Sequence, residues 1–201
     1  HTDARFHGLT RFSVYQGRWF CSYRDFERDI LPMCQAEGLA LAPWGALGRG
    51  QFKTPSEFGE PGTRNMGPQE ETHRAMGAKL TEIGARRDVP VPGPCIALAY
   101  LLHKAPYVFP VIGCRTVEQL ETNIGCLGVK LTRAEMDEIE DTVPFDVGFP
   151  LSFLFETPHQ KYRSDMTTSD IWQVTCNTRI ESVPMLRPIE PKQGYNRMDR
   201  K

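Results

Sequence analysis

Excess charge of either sign is what this sequence most conspicuously lacks. Its 24 Lys and Arg residues meet 25 Asp and Glu, for a formal net charge of −1. Without a basic surplus the chain has no electrostatic footprint for nucleic acid or for a polybasic membrane anchor, so neither partner is expected. Long hydrophobic runs are also missing: nothing reaches the roughly 18 consecutive apolar residues of a membrane span. The opening HTDARFHG has no apolar signal-peptide core, and His1 where an initiator Met would stand predicts a fragment or a processed chain. Histidines are few. Those at 1, 7, 73 and 159 form no group with cysteine or carboxylate fit for a metal or a nucleophile, and His103 reads as an interface residue, so no metal site is expected. The six cysteines (21, 34, 95, 114, 126 and 176) include no C-x-x-C pair and no zinc-like spacing. That pattern predicts free thiols in a reducing compartment, hence a cytoplasmic protein.

What is present is ordinary globular material: 201 residues, 40% hydrophobic and 10% aromatic, enough for one domain with a core. FSVYQGRW (12–19) reads as a strand, and SYRDFERDILPMCQAEG (22–38) as a helix ending at Gly38, with Pro32 as a bend point. LALAPW (39–44) has the continuous apolar character of a strand buried on both faces, and the glycine-rich GALGRG follows it. Residues 51–69 predict a long loop; 70–87 predict an amphipathic helix; CIALAYLLHK (95–104), after the breaker VPVPGP, predicts an apolar one. A strand, YVFPVIG (107–113), then leads into TVEQLETNIGCLG, a helical stretch, and LTRAEMDEIEDT contains a Thr132/Glu135 capping box. Beyond Pro144 the chain is proline-broken and aromatic, then polar. Strands alternating with helices define an α/β class with a parallel sheet. Three strand–helix units cannot close a barrel of eight, which leaves two sheet edges and one face open.

Several motifs carry chemistry. Gly113 and Arg115 precede a helix N-terminus whose N–H groups and dipole attract phosphate, and Gln119 and Asn123 follow at a spacing of four on one face. The same residues fit plain helix capping, since Thr116 and Gln119 have capping-box spacing. The loop after 39–44 lacks both the Gly-Lys-Thr of a P-loop and the third glycine of G-x-G-x-x-G, yet lies where ligands bind in α/β proteins. Tyr100 and Lys104 have the Y-x-x-x-K spacing with which short-chain dehydrogenases move a proton, without that family's upstream glycine fingerprint; a packing helix is the competing reading.

Taken together, FSVYQGRWF, RDILPMCQAEGLALAPWGALGRGQF, ALAYLLHKAPYVFPVIGCRTVEQLETNIGCLG and PFDVGFPLSFLF resemble the C-terminal half of the aldo-keto reductases, in particular their fungal aryl-alcohol dehydrogenase and norsolorinic acid reductase-like members. The resemblance implies a partial (β/α)8 TIM barrel, about the last three strand–helix units, over residues 1–155, with an irregular tail over 156–201. It implies NADP as cofactor: Gln16 for the nicotinamide carboxamide, with Trp19 near the same strand end, and Ala42, Pro43 and Trp44 along the pyrophosphate. Gly113, Cys114 (through its backbone) and Arg115 would hold the 2′-phosphate, and Gln119 and Asn123 the adenosine side. Two positions depart from the family: Leu41 stands where a nicotinamide-stacking tyrosine is common, and Thr122 where a glutamate often precedes the asparagine. The implied activity is reduction of an aryl or polyketide-type aldehyde or ketone, or oxidation of an aryl alcohol. The family's catalytic aspartate, tyrosine, lysine and histidine have no match here, so no catalytic residue is assigned and the isolated chain is expected to be inactive. The alternative is a truncated module or remnant that binds NADP or self-associates through the open half-barrel.

Overall fold

The computed structural model describes residues 1–52, 68–149 and 188–190. Most of the expected 51–69 loop, the aromatic stretch after residue 149, Cys176 and nearly all of the 156–201 tail lie outside the described residues. A short helix, α1 (Thr2–His7), opens the chain and buries none of its residues; its signals are Asp3 in the first turn, Arg5 and His7 in the last, and Gly8 at a left-handed C-cap (φ 65°). Two strands, β1 (Val14–Arg18) and β2 (Ala40–Trp44), pair in parallel with Val14 opposite Ala40 and Arg18 opposite Trp44. Between them, α2 (Ile30–Glu37) ends on Gly38, whose left-handed backbone (φ 70°) turns its N–H onto the carbonyls of Cys34 and Gln35. The helix expected from residue 22 begins only at Ile30, after a 3₁₀ turn at Asp25–Glu27. Pro32 therefore falls in the first turn, where its missing N–H is not needed.

The third expected strand is present only as two isolated parallel bridges, Leu41 with Val108 and Trp44 with Val111. Leu41 N–H donates to the Tyr107 carbonyl (3.0 Å), and the N–H groups of Phe109 and Val111 donate to Leu41 and Pro43 (2.7 and 2.8 Å). In this register the intervening rung would come from residue 43, and Pro43 has no N–H to give.

The strand alternation sorts the sheet into two faces. Leu41, Pro43 and Val108 are buried in the core, while Val14, Trp44, Phe109 and Val111 are between 39% and 61% exposed on the other side. This corrects the expectation that residues 39–44 are buried on both faces: Leu41 and Pro43 are buried, Ala40 and Ala42 are half-buried, and Trp44 is exposed.

Helices α3 (Glu71–Ala85) and α4 (Gly93–Lys104) build the core. Met76, Leu80 and Ile83 supply the apolar stripe of α3, whereas α4 is buried almost continuously from Cys95 to Leu101, as its unbroken apolar sequence requires. Gly84 lets the chain cross closely: a Cβ there would stand 2.1 Å from the Val91 carbonyl oxygen. Helix α5 (Val117–Gly125) follows, then a 3₁₀ turn at Cys126–Gly128 and α6 (Arg133–Thr142). The expected box forms on α6: Thr132 Oγ1 accepts from the Glu135 N–H (3.2 Å), and Glu135 Oε2 accepts from the Thr132 N–H (2.7 Å).

Two features of the interior depart from expectation. Arg24, Glu27, Lys104 and Glu140 form a buried, charge-balanced cluster. Glu27 accepts from Trp19 Nε1 (3.1 Å), Arg24 (3.0 and 2.8 Å) and Tyr100 OH (3.4 Å), and lies 3.3 Å from Lys104 Nζ. Glu140 takes Lys104 at 2.7 Å and Arg24 at 3.3 Å. Burial by itself would raise the Glu27 carboxyl, but Lys104, Arg24 and the Arg24 and Trp19 hydrogen bonds outweigh it and hold the group at about 2. The second feature is a disulfide between Cys95 and Cys126, which corrects the expectation of free thiols throughout; Cys21, Cys34 and Cys114 are free. Packing of α4 against the end of α5 brings the two Cα atoms to 4.7 Å, a proximity that a separation of 31 residues does not betray. Among the described residues no helix is long and apolar enough to cross a membrane, and no group of His, Cys, Asp and Glu is suited to a metal ion.

Candidate functional site

All three parallel segments run in the same direction, so their C-terminal ends meet at one end of the sheet, where α/β proteins bind ligands. On the exposed face Gln16 lies in register with Ala42, and Arg18 with Trp44; Trp44 in turn bridges to Val111. The sheet thus brings Gln16, Ala42 and Trp44 onto one surface, two residues short of Gly113. Pro43 turns into the core, so only its backbone borders this surface. Leu41 faces the core too, at 1% exposure. It is therefore not at a stacking position, and the aromatic groups on the open face are Trp44 and Phe109.

Beyond β2 the backbone coils through Gly45, Gly48, Arg49 and Gly50, all with φ between 57° and 83°. Three glycines adopt this conformation without strain, and Arg49 is the exception. A Cβ on Gly48 would also collide with the Phe52 ring at 2.6 Å. The coil carries Arg49 close enough to buried His73 to act on it: burial lowers the imidazole pKa, and the charges of Arg18 and Arg49 depress it further against the opposing pull of Glu70. Arg18 lies over the Tyr23 ring at 3.9 Å, with its Nε buried and lacking a hydrogen-bond partner among the described residues.

Gly113, Cys114 and Arg115 are exposed and lead into α5. A Cβ on Gly113 meets nothing within 4 Å, so any need for glycine there comes from outside the described residues. Thr116 caps α5 by accepting from the Gln119 N–H at 3.3 Å, and Gln119 Oε1 accepts from the Arg115 N–H at 2.9 Å. The capping reading is thus realised, with the glutamine reaching one residue further back than in a standard box. Glu118 also occupies this first turn: hydrogen bonds from its own N–H and the Thr116 hydroxyl lower its pKa. Gln119 is exposed but Asn123 is buried, so the two carboxamides are not presented together to solvent.

Other candidates are withdrawn from the surface. Trp19 is fully buried, stacked on Phe26 at 5.2 Å and bonded to Glu27. Tyr100 and Lys104 do share a helix face, but both belong to the buried charge cluster, and burial raises the Tyr100 pKa well above normal. A proton-transfer tyrosine needs the opposite shift and an open path, so the dehydrogenase-like Y-x-x-x-K reading fails. Sequence reasoning misses Arg18, although the period of two from Gln16 points straight to it, and Glu118, which is an acidic residue at an ordinary first-turn position. The assembled surface offers a carboxamide, an exposed indole, a glycine coil and three arginines at one end of the sheet. It can bind and orient an extended anionic ligand.

The chain matches the aldo/keto reductase family model over residues 3–143. It is 77% identical over 198 residues to a norsolorinic acid reductase of Emericella nidulans, covering 98% of this chain and 51% of that protein. Identity to an aryl-alcohol dehydrogenase of Pestalotiopsis microspora is 46% over 153 residues, 75% of this chain and 39% of the other. A solved aldo-keto reductase from Klebsiella pneumoniae in complex with NADPH overlaps 66% of this chain and 39% of its own, with TM-score 0.49 and 17% identity. The chain spans about half the length of the curated relatives it matches.

Proposed function

Because the chain belongs to the aldo/keto reductase family, we propose that it is the cofactor-holding part of an NADP-dependent oxidoreductase acting on an aryl or polyketide-type aldehyde or ketone, or on the corresponding aryl alcohol. The observation that carries this reading is the convergence of Gln16, Ala42–Trp44 and Gly113–Arg115 at the C-terminal ends of three parallel segments. The segments would be the last three strands of an eight-stranded barrel, residues 1–155, with 156–201 as an appended tail. NADPH, when bound, would supply the hydride that reduces the carbonyl.

The residues fit that cofactor in the following way. Gln16 would hold the carboxamide of the nicotinamide, and Trp44 would cover its ring from the open face. The coil after β2 turns backbone toward the pyrophosphate, the Cys114 backbone borders the adjoining phosphate loop, and Arg115 would grip the 2′-phosphate with its fork of donors. Glu118 opposes a phosphate at the same helix end, so Arg115 must do more than offset it. Gln119 and Asn123 would serve the adenosine side, Asn123 after a local rearrangement. The cytoplasm is the proposed setting; the free thiols of Cys21, Cys34 and Cys114 support it and the Cys95–Cys126 disulfide counts against it.

A second reading is favoured by one observation, the exposure of the apolar residues Trp44, Phe109 and Val111 on one sheet face. On this reading the chain is a module without turnover that binds NADP or self-associates through that face. Titration of the purified chain with NADPH and NADH, followed by tryptophan fluorescence, tests the cofactor assignment. Arg115→Ala is expected to weaken NADPH binding about tenfold and leave NADH unchanged, because only the 2′-phosphate distinguishes them. Equal loss for both dinucleotides would refute the assigned role. Carbonyl-dependent NADPH oxidation by the isolated chain is expected to be absent, and robust turnover would overturn the assignment of no catalytic residue.

A further inference from the structure

Helix α5 is poorly anchored for an element that carries one end of a ligand site. Of its nine residues only Asn123 is buried, while Val117, Leu120 and Ile124 are 66%, 43% and 40% exposed. The covalent bond from Cys126, the first residue after α5, to Cys95 in the first turn of α4 is its firmest tie to the core. Helix α4 is buried nearly throughout and provides a rigid post. The loop closed by this bond contains Tyr107–Val111, Gly113–Arg115 and all of α5, so one cross-link encloses the part of the candidate site assigned to the 2′-phosphate and adenosine.

We infer that Cys95 and Cys126 are a thiol–disulfide switch that sets how firmly α5 and the Gly113–Arg115 loop are held. Its effect on NADPH rests on the cofactor reading above; its effect on α5 does not. In the oxidising direction the two thiols lose two electrons and two protons to a peroxide, whose O–O bond breaks as the S–S bond forms, giving two waters from hydrogen peroxide. In the reducing direction a small dithiol exchanges with the bond through a mixed disulfide and leaves as its own cyclic disulfide. Both sulfurs are buried, Cys95 at 4% and Cys126 at 0% residue exposure. Exchange therefore proceeds through local opening of weakly held α5, the motion that the bond restrains. The reduced state has a ready partner, since Cys126 Sγ lies 3.0 Å from the Thr122 carbonyl oxygen and its S–H can donate there.

The test uses the full 201-residue chain, oxidised with hydrogen peroxide or reduced with dithiothreitol. Peptide mapping after alkylation should find a Cys95–Cys126 cross-link in the first sample and none in the second. Hydrogen exchange at residues 113–125 should be about tenfold slower in the oxidised chain, while α3 and α6 change little. NADPH affinity should be about threefold higher in the oxidised chain, because less ordering remains to be done on binding. Failure to form the cross-link, or equal exchange at 113–125 in both states, overturns the inference. If NADPH binds neither form while exchange still differs, the cofactor reading falls and the switch stands. A Cys95→Ser/Cys126→Ser chain should exchange like the reduced protein under both treatments. The wild-type comparison needs no variant, so misfolding of that chain would leave its outcome readable.

Discussion

Replacing Glu27 with glutamine removes one negative charge from the buried cluster and leaves Arg24 and Lys104 facing the single carboxylate of Glu140. A carboxyl held at about 2 in place of its ordinary 4.5 contributes roughly 3 kcal/mol to folding at neutral pH. Leaving a buried cation uncompensated costs on the order of 3–5 kcal/mol. The two routes agree, so Glu27→Gln should cost about 3 kcal/mol. With a urea dependence near 2 kcal/mol/M, the unfolding midpoint should fall by roughly 1.5 M. The assay is urea unfolding followed by tryptophan fluorescence, which also reads the site directly because Glu27 accepts from Trp19. Glu138→Gln is the control: it breaks the exposed Arg86–Glu138 pair, which solvent screens, and should leave the unfolding midpoint nearly unchanged. The sign with pH follows from a folded pKa below the unfolded one. Stability from Glu27 is complete above about 4.5 and is lost as pH falls toward 2, so Glu27→Gln should flatten the acid limb of the wild-type stability curve. A variant within about 1 kcal/mol of wild type, or an unchanged acid limb, would refute this account of the cluster.

Gly84→Ala should destabilise by about 1–3 kcal/mol in the same urea assay, since its Cβ would meet the Val91 carbonyl oxygen at 2.1 Å, whereas Gly113→Ala, with nothing within 4 Å, should leave stability unchanged. Thr132→Ala should cost about 1 kcal/mol through loss of the α6 cap, and Thr132→Ser should recover most of it; equal melting temperatures for the two variants would contradict the capping geometry.

Periodicity and punctuation make β1, β2, α3, α4 and α6 legible in the amino-acid sequence, because each has a clean apolar pattern bounded by Gly, Pro or a cap. The start of α2 is less legible: Phe26 sits at helical spacing from Ile30 while belonging to a separate 3₁₀ turn. Which way Leu41 and Trp44 face depends on what covers each side of the sheet, and apolar content alone does not reveal it. The site positions themselves come from resemblance: Gln16, Ala42 and Trp44 share one face of the sheet, Gly113–Arg115 follow its third segment, and Asn123 is buried. Long-range chemistry is invisible in the sequence. Arg24 and Glu140 are 116 residues apart, and Cys95 and Cys126 are 31 apart; no local pattern marks either pair. The Tyr100/Lys104 spacing holds as geometry and fails as chemistry, because burial decides what a tyrosine can do.

Pro43 gives the sheet a seam. Between β1 and β2 the register is continuous, but the third segment is joined to β2 only at Leu41 and again near Trp44. The strand that would carry Gln16 under the ring and the segment that leads to Arg115 are thus two plates fastened at separate points. On the proposed cofactor reading, the distance between the two grips would depend on the backbone bonds at Leu41 and Pro43 together with the seat of Val108 in the core beneath. Small changes in that seat would be felt as changes in the length of ligand the surface can span.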